Sequence, residues 1–362
     1  NLTAQNDCQR QVVPVIDANF EQAVVKLVND IRANNGLPPL KLSEDLSQSA
    51  RYHAMDMAQD DYFEHDSYDR VNGQLALSCS WSNRIDAYYS GWQRLAENIA
   101  AGYTTPQEVV DGWMNSPGHR DNILSDKNWE IGVGYFGMGG TYGQYWAQDF
   151  GRRFDVFPVI INGEAAQTDT GDLSLYVYGD WQQVRMRTDD NSWSDWQPFQ
   201  PYLTWKVLAP AGEHTVSVEL QNGNQTVVSS DTIVLTKSTA PDLSSLPDTL
   251  AFIYSVTEDR LSPAYHEVAP LSGTTESFTW HVQANGNWFN ILPADGTPND
   301  SFQVVPADFN AANATSQNGV LQVQVTDPQG NVVANRQITL QLQVINAPMQ
   351  YVFIPFVMTS GN

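Results

Sequence analysis

The sequence predicts a multi-domain chain in which an α+β domain is followed by two all-β sandwich domains. Its 362 residues exceed what one hydrophobic core usually supports. Apolar residues recur at helical spacing early in the chain and alternate along strands from Ile131 onward. From Phe154 onward the helical periodicity vanishes, and short strands alternate with Gly, Asn and Asp turns. The apolar content of 41%, with 11% aromatic residues, is enough to build these cores.

Three helices are predicted in the α+β domain. The first covers residues 20–35, whose apolar residues repeat at helical spacing before an Asn-Gly stop. The second begins with Ser43 as its N-cap. The third begins with Thr105 as its N-cap, Pro106 at the first helical position and Glu108 three residues after the cap. This last pattern is a capping box, so we expect a sharply defined helix start there.

Strands are predicted from the alternation of apolar and polar residues. Ile131, Val133 and Tyr135 share one face, and residues 145–150 follow a glycine-rich turn as the second strand of a hairpin. In the next module, strands are predicted at 173–177, 183–187 and 214–219. The predicted division is a tail (1–19), the α+β domain (20–152), a β-sandwich (153–237), a linker (238–249), a second β-sandwich (250–346) and a terminal apolar strand (347–362).

The composition argues against several partners. Acidic residues number 41 and basic residues 18, and the net charge of −23 would repel nucleic acid and anionic lipid surfaces. No run of 18 apolar residues occurs, so we expect no transmembrane segment. A chain that opens at Asn1 rather than Met is typical of a processed product, which favours a secreted, extracellular or cell-surface protein. No nucleotide cofactor is expected.

The two cysteines, Cys8 and Cys79, are the whole cysteine content of the chain. Outside the cytosol, one pair most simply forms one disulfide, which would tie the amino-terminal tail to the first domain. Two free buried thiols are the alternative, because a sequence does not show geometry.

Four polar residues of the first domain are candidate metal ligands: His65, Glu97, His119 and Glu130. Neutral His nitrogen and carboxylate oxygen both suit zinc or another divalent cation. Their spacing matches no local metal motif, so spacing alone also allows ordinary surface and capping residues. No catalytic residue is assigned, because no Ser or Cys nucleophile with a visible triad accompanies the set.

Several blocks of the first domain resemble the CAP superfamily, which includes cysteine-rich secretory and pathogenesis-related proteins. Residues 96–100 (AENIA), 113–124 (WMNSPGHRDNIL) and 130–135 (EIGVGY) look like the signature blocks of bacterial CAP domains, in that order. Residues 145–151 (YWAQDFG) are similar to the closing strand of the family. The resemblance covers about residues 20–151 and implies an α-β-α sandwich with a large cleft.

In that family two His and two Glu converge in the cleft, and by resemblance these are His65, His119, Glu97 and Glu130 here. The first His of the family usually stands in an aromatic-Ser-His-Thr/Ser context, whereas this chain has Phe-Glu-His-Asp around His65. His53, inside the second helix, is the rival for this position, and we expect it to lie on the helix surface.

The resemblance implies a metal-capable cleft and, in some members, sterol or fatty-acid binding or proposed proteolysis. No shared reaction defines the family, so an enzyme is the less expected outcome. Three functions stay open: an extracellular binding protein with a metal-capable cleft, a structural subunit of an extracellular filament or surface assembly, and a metal-dependent hydrolase. A ligand of the cleft would be a lipid, a peptide or a glycan.

The two β modules resemble modules of secreted bacterial proteins. Residues 186–199 and Trp205 look like bacterial immunoglobulin or fibronectin-like repeats, and residues 288–298 resemble BACON-type β-sandwiches. Their implied role is spacing, adhesion or glycan attachment. The apolar strand 351–358 needs a partner, which is either its own module or a neighbouring copy of the chain. The second alternative predicts self-assembly into a polymer.

Overall fold

A computed structural model describes residues 8–271, 277–307, 312 and 314–349. The chain forms two compact units. The first contains the α+β domain together with residues 153–190, 194–207 and 211–237. The second contains residues 191–193, 208–210 and the described residues from 238 onward. The predicted terminal strand 351–358, and with it the predicted self-assembly contact, lies outside the described residues.

Between residues 8 and 153 the fold is α+β, as predicted. Its helices are α1 (Ala18–Asn34), α2 (Glu44–Gln59), α3 (Trp81–Tyr88), α4 (Pro106–Asn115) and α5 (Pro117–Ile123). Its strands are β1 (Lys41–Leu42), β2 (Ser67–Val71), β3 (Gln74–Cys79), β4 (Trp92–Ala101), β5 (Glu130–Phe136) and β6 (Tyr145–Arg153).

The caps confirm the predicted starts of the second and third helices, whereas the first helix begins at Ala18, before the predicted start at residue 20, with Asp17 as its N-cap. Ser43 Oγ accepts a hydrogen bond from Leu46 N at the start of α2. The side chain of Thr105 and the backbone and side chain of Glu108 form the predicted capping box of α4. Helix α3 carries no side-chain cap of its own at Ser80, and neither α3 nor α5 was predicted from the sequence.

One mixed sheet, ordered β1-β5-β6-β4, lies between two layers of helices. On one face α2 packs directly on β5. The two elements come so close at Gly132 that a Cβ there would lie 2.2 Å from the backbone of Leu46. On the other face α1 and α4 pack against apolar side chains of β5 and β6, including Ile131, Val133 and Trp146. The domain is therefore a three-layer α-β-α arrangement with β1 and β4 as the two sheet edges.

The amino-terminal tail is attached to this domain. A disulfide joins Cys8 to Cys79 at a Cα–Cα distance of 5.4 Å, which is the pairing that the cysteine count predicts. Val13 is buried against Tyr52 and Tyr88. The tail is thus fixed by one covalent bond and by packing.

The β-rich segment that follows contributes two sheets to the first unit. Their orders are β11-β10-β13-β14-β8 and β12-β9-β7. The strands are β7 (Val159–Ile161), β8 (Gln167–Thr168), β9 (Asp172–Val177), β10 (Gln183–Thr188), β11 (Gln197–Pro198), β12 (Tyr202–Lys206), β13 (Gly212–Asn222) and β14 (Gln225–Leu235).

This segment packs directly against the α+β domain. Lys41 Nζ forms ion pairs with Glu164, at 2.9 Å from Oε1, and with Asp231. The ring of Tyr178 stacks on Trp129 at a centroid distance of 4.6 Å, and its hydroxyl donates to the carbonyl oxygen of Pro39. Burial of these charges and rings fixes the β-rich segment against the α+β domain.

The second unit is also β-rich, with sheets ordered β16-β15-β23-β22-β18-β20 and β17-β21-β19 around a shared apolar core. Leu243 and Leu246 are buried in this core. The predicted linker 238–249 is therefore partly packed, because its leucines bury apolar surface against the unit. The strands are β15 (Thr249–Ser255), β16 (Arg260–Ser262), β17 (His266–Val268), β18 (Thr279–Asn285), β19 (Phe289–Leu292), β20 (Asp295–Gly296), β21 (Phe302–Pro306), β22 (Gln317–Thr326) and β23 (Val332–Ile345).

Among the helices of the described residues, none is both long and apolar enough to cross a membrane.

Candidate functional site

His65 and Glu97 meet at the β4 edge of the sheet. The Nδ1 atom of His65 lies 2.8 Å from Oε1 of Glu97, and the second carboxylate oxygen accepts a hydrogen bond from Arg84. The side chains of Glu97 and Arg84 are buried, whereas that of His65 is 50% exposed. The structure thus places one predicted carboxylate beneath one predicted imidazole at the surface.

Arg84, which the sequence analysis missed, holds this corner together. It projects from α3, whose first turn is fixed by Asp66 Oδ1 accepting from Trp81 N at 2.8 Å. Its Nη1 donates to the carbonyl oxygen of His65 at 2.9 Å and to Ser67 Oγ at 3.1 Å. One buried guanidinium therefore fixes both the backbone of His65 and the carboxylate that contacts its ring.

The charged groups around Glu97 shift one another's pKa values. Burial opposes ionisation of Glu97, but the charge of Arg84 and the hydrogen bond to His65 lower its pKa to about 2. The hydrogen bond to Glu97 raises the pKa of the His65 imidazole. Glu97 is therefore an ionised, permanent acceptor at neutral pH.

The predicted surface position of His53 is wrong. His53 is completely buried, and its Nε2 lies 3.0 Å from the carbonyl oxygen of Glu64. The chain segment after α2 covers this face of the helix, so a histidine that would be exposed on an isolated helix is enclosed. Burial, followed by the charge of Arg84, lowers its pKa to about 3. His53 is a neutral packing partner of the site rather than a rival for the position of His65.

Asp149 is a second buried acid that sequence reasoning missed. It stands directly opposite Glu97 in the β4–β6 ladder and is fully buried. Burial and the charge of Glu97 raise its pKa well above the ordinary value. The signal was available, since an aspartate in a strand predicted to be buried requires a special environment.

His119, on α5, is held on the same sheet edge by amide side chains. Asn98 Nδ2 donates to the carbonyl oxygen of His119 at 3.1 Å, and Asn122 Nδ2 donates to Asn98 Oδ1 at 2.9 Å. These asparagines belong to the two family-like blocks quoted above. They dock α5 onto β4 from one face of the sheet, while Glu97 contacts His65 on the other face.

A cavity of about 310 Å³ opens beside His119. Three exposed aromatic rings, those of Phe63, Tyr103 and Tyr142, contribute to its wall. Burial, followed by the charge of His65, lowers the pKa of His119. The two imidazoles are thus close enough to interact electrostatically, next to a cavity with an aromatic wall.

Glu130 is not part of this group of contacts. Strand β5 is separated from β4 by β6, which places the two backbones about 10 Å apart. The Glu130 carboxylate accepts hydrogen bonds from Tyr89 and from Arg153, whose Nη2 lies 2.5 Å from Oε1. No three of the four predicted ligands, all of which are among the described residues, bring ligand atoms within 4.8 Å of one another.

Three other carboxylates do come that close, those of Asp56, Asp60 and Asp69. Asp56 accepts a hydrogen bond from Tyr62, and Asp60 Oδ1 accepts from Arg70 N at 2.9 Å. These contacts give two of the three carboxylates protein partners.

Comparison with known proteins agrees with the fold of the first domain. Residues 25–150 match the family model of CAP, the cysteine-rich secretory protein family. This part of the chain is therefore a CAP domain, followed by a β-rich remainder.

Two relatives come from Bacillus subtilis. The protein YkwD is 37% identical over 148 residues, which cover 41% of this chain and 53% of YkwD. The membrane protein YlbC is 30% identical over 139 residues, which cover 38% of this chain and 36% of YlbC. The chain thus spans about half or less of the length of these relatives.

Among solved structures, an extracellular SCP-domain protein from Bacillus anthracis is similar at 30% sequence identity. The match covers 38% of this chain and 42% of that protein, with a TM-score of 0.33.

Proposed function

We propose that this chain is a secreted, extracellular CAP-domain protein whose cleft binds a divalent cation, such as zinc, through His65 and His119. The observation that carries the proposal is the half-exposed imidazole of His65 with its Nδ1 held by buried Glu97. An ionised carboxylate only accepts hydrogen bonds, so Nδ1 carries the proton and Nε2 is left to bind a metal. A carboxylate behind an imidazole is the usual outer shell of a metal-binding histidine.

The available ligands fit an exchangeable metal site with open coordination positions better than a structural site in which the protein supplies every ligand. His119 supplies the second imidazole, and burial lowers its pKa, which favours the neutral ring that metal binding requires. Both oxygens of Glu97 already contact His65 or Arg84, so Glu97 acts by orienting His65. With two protein ligands, the remaining coordination positions are left to water or to a bound molecule.

An extracellular location is supported by the disulfide between Cys8 and Cys79, since such bonds persist in oxidising compartments. The β-rich remainder would carry the cleft at the cell surface or in the medium. The cavity beside His119 would receive the molecule that completes the coordination.

Calorimetric titration of the full chain with zinc chloride tests the cation site. We expect saturable binding by the wild type and roughly tenfold or greater weakening in His65→Ala and in His119→Ala. The matched control is His281→Ala in the second unit, whose half-exposed imidazole also contacts a carboxylate, with Nδ1 2.6 Å from Asp295 Oδ1. A flat wild-type trace, or equal weakening by all three substitutions, would contradict the proposal.

A further inference from the structure

A second cavity lies in the first unit, where α1 meets the β-rich segment. Its volume is about 230 Å³, and it shares no lining residue with the cavity beside His119. The contacts of Lys41 and Tyr178 described above hold the two walls together, and Asn29 Nδ2 also donates to the carbonyl oxygen of Gly163. The cavity is therefore part of a fixed junction.

An exposed tyrosine stands at this cavity. Tyr202 on β12 lies directly opposite Tyr176 on β9, with ring centroids 4.9 Å apart. Tyr176 in turn lies 4.8 Å from Tyr178, which stacks on Trp129. Tyr202 is 64% exposed, so it is the outer end of a row of rings anchored in the junction. Such a row positions one aromatic face for a ligand.

The rest of the lining is amphipathic. Leu37, Ile160 and Leu175 supply apolar surface. Lys26 and Asp30 contribute an exposed ion pair, with Nζ 2.5 Å from Oδ2. Because the two charges compensate each other, the lining offers donors and acceptors without favouring a cation or an anion. The overall charge of −23 further disfavours an anionic ligand.

We propose that this cavity binds a neutral pyranose sugar. A pyranose combines an apolar C–H face, which can pack on Tyr202, with a rim of hydroxyl groups, which can hydrogen-bond to Lys26 and Asp30. The volume lies below the 300–1,000 Å³ or so of drug-sized ligands, which suits one sugar ring. An acyl chain or an extended peptide would project from the cavity along most of its length. The site is separate from the cleft, so the zinc experiment can fail while this proposal stands.

Saturation-transfer NMR of the full chain with the methyl glycosides of glucose, galactose and mannose tests this site. We expect saturation transfer from the protein to at least one glycoside. Tyr202→Ala should weaken its binding by roughly three- to tenfold, while Tyr202→Phe, which keeps the ring, should bind as the wild type does. Tyr265→Ala removes a comparably exposed tyrosine of the second unit and should change nothing.

Absence of transfer to all three glycosides would overturn the proposal, as would transfer that Tyr202→Ala leaves unchanged. Binding of glucuronate alone, lost in Lys26→Ala, would show an anion site and would overturn the assignment of a neutral sugar.

Discussion

The two edges of the CAP sheet differ in how many buried anionic side chains face each buried cationic side chain. At the β4 edge one guanidinium faces one ionised carboxylate, because Arg84 is paired with Glu97. At the β1 edge, which the β-rich segment covers, Lys41 alone faces both Glu164 and Asp231. The first edge is electrically matched because the second buried acid, Asp149, has a pKa raised well above its ordinary value by burial and by the charge of Glu97 and so keeps its proton. This edge also leaves an imidazole at the surface. The second has one carboxylate more than it has cations, so its stability should depend on pH.

The β4 edge should be the more sensitive to loss of its cation. Arg84→Met would leave Glu97 buried and without its guanidinium, which typically costs about 3–5 kcal/mol. Denaturant unfolding of the first unit measures this loss. The control is Lys237→Met in the same unit, since Lys237 pairs with the exposed Asp169 and its loss should cost less than about 1 kcal/mol. Equal losses in the two variants would show that burial of the pair contributes little.

The β1 edge should respond less strongly to the same kind of change. Lys41→Met leaves two buried carboxylates without a cation, but Asp231 still accepts backbone hydrogen bonds from Ile161 and Thr232. We expect a loss of about 3 kcal/mol. The double variant Lys41→Met/Glu164→Gln should recover part of it, because one uncompensated charge is removed. If the double variant is no more stable than Lys41→Met, the excess negative charge is not the cause of the stability lost in Lys41→Met.

Much of the fold could be predicted from local patterns in the sequence. The capping box at Thr105 and the alternation from Ile131 act within a few residues, and both are confirmed. Helix α3 had no such signal, because the side chain that fixes its first turn is Asp66, 15 residues before Trp81. Arg84 was therefore missed along with its helix.

The site was harder to predict because it depends on strand order. Glu97 and Glu130 both lie in family-like blocks and both are buried. Only the strand order β1-β5-β6-β4 separates them. As a result Glu97 contacts His65, whereas Glu130 contacts Arg153 and Tyr89. A single sequence fixes neither this order nor the burial of His53 by a later segment of the chain.

The smallest expected effect at any single step of one pH unit is the pH dependence of the β1 edge. Burial of Glu164, together with the charge of Asp231, raises its pKa from 4.5 to about 7, although Lys41 acts in the opposite direction. A raised pKa means that the folded protein holds a proton that the unfolded chain releases. The stabilising contribution is therefore complete below pH 4.5 and is lost as the pH rises through about 7.

The side chain at position 164 cannot ionise in Glu164→Gln, so this variant should not lose free energy of unfolding as the pH rises. Between pH 4.5 and 7 the wild type should lose free energy of unfolding relative to Glu164→Gln, by at most about 1.4 kcal/mol per pH unit. Urea unfolding of the first unit at a series of pH values measures the difference. Glu213→Gln, at an exposed position of β13, should give a curve parallel to the wild type. Parallel curves for Glu164→Gln and the wild type would mean that Lys41 compensates both carboxylates, and the two sheet edges would then be electrically alike.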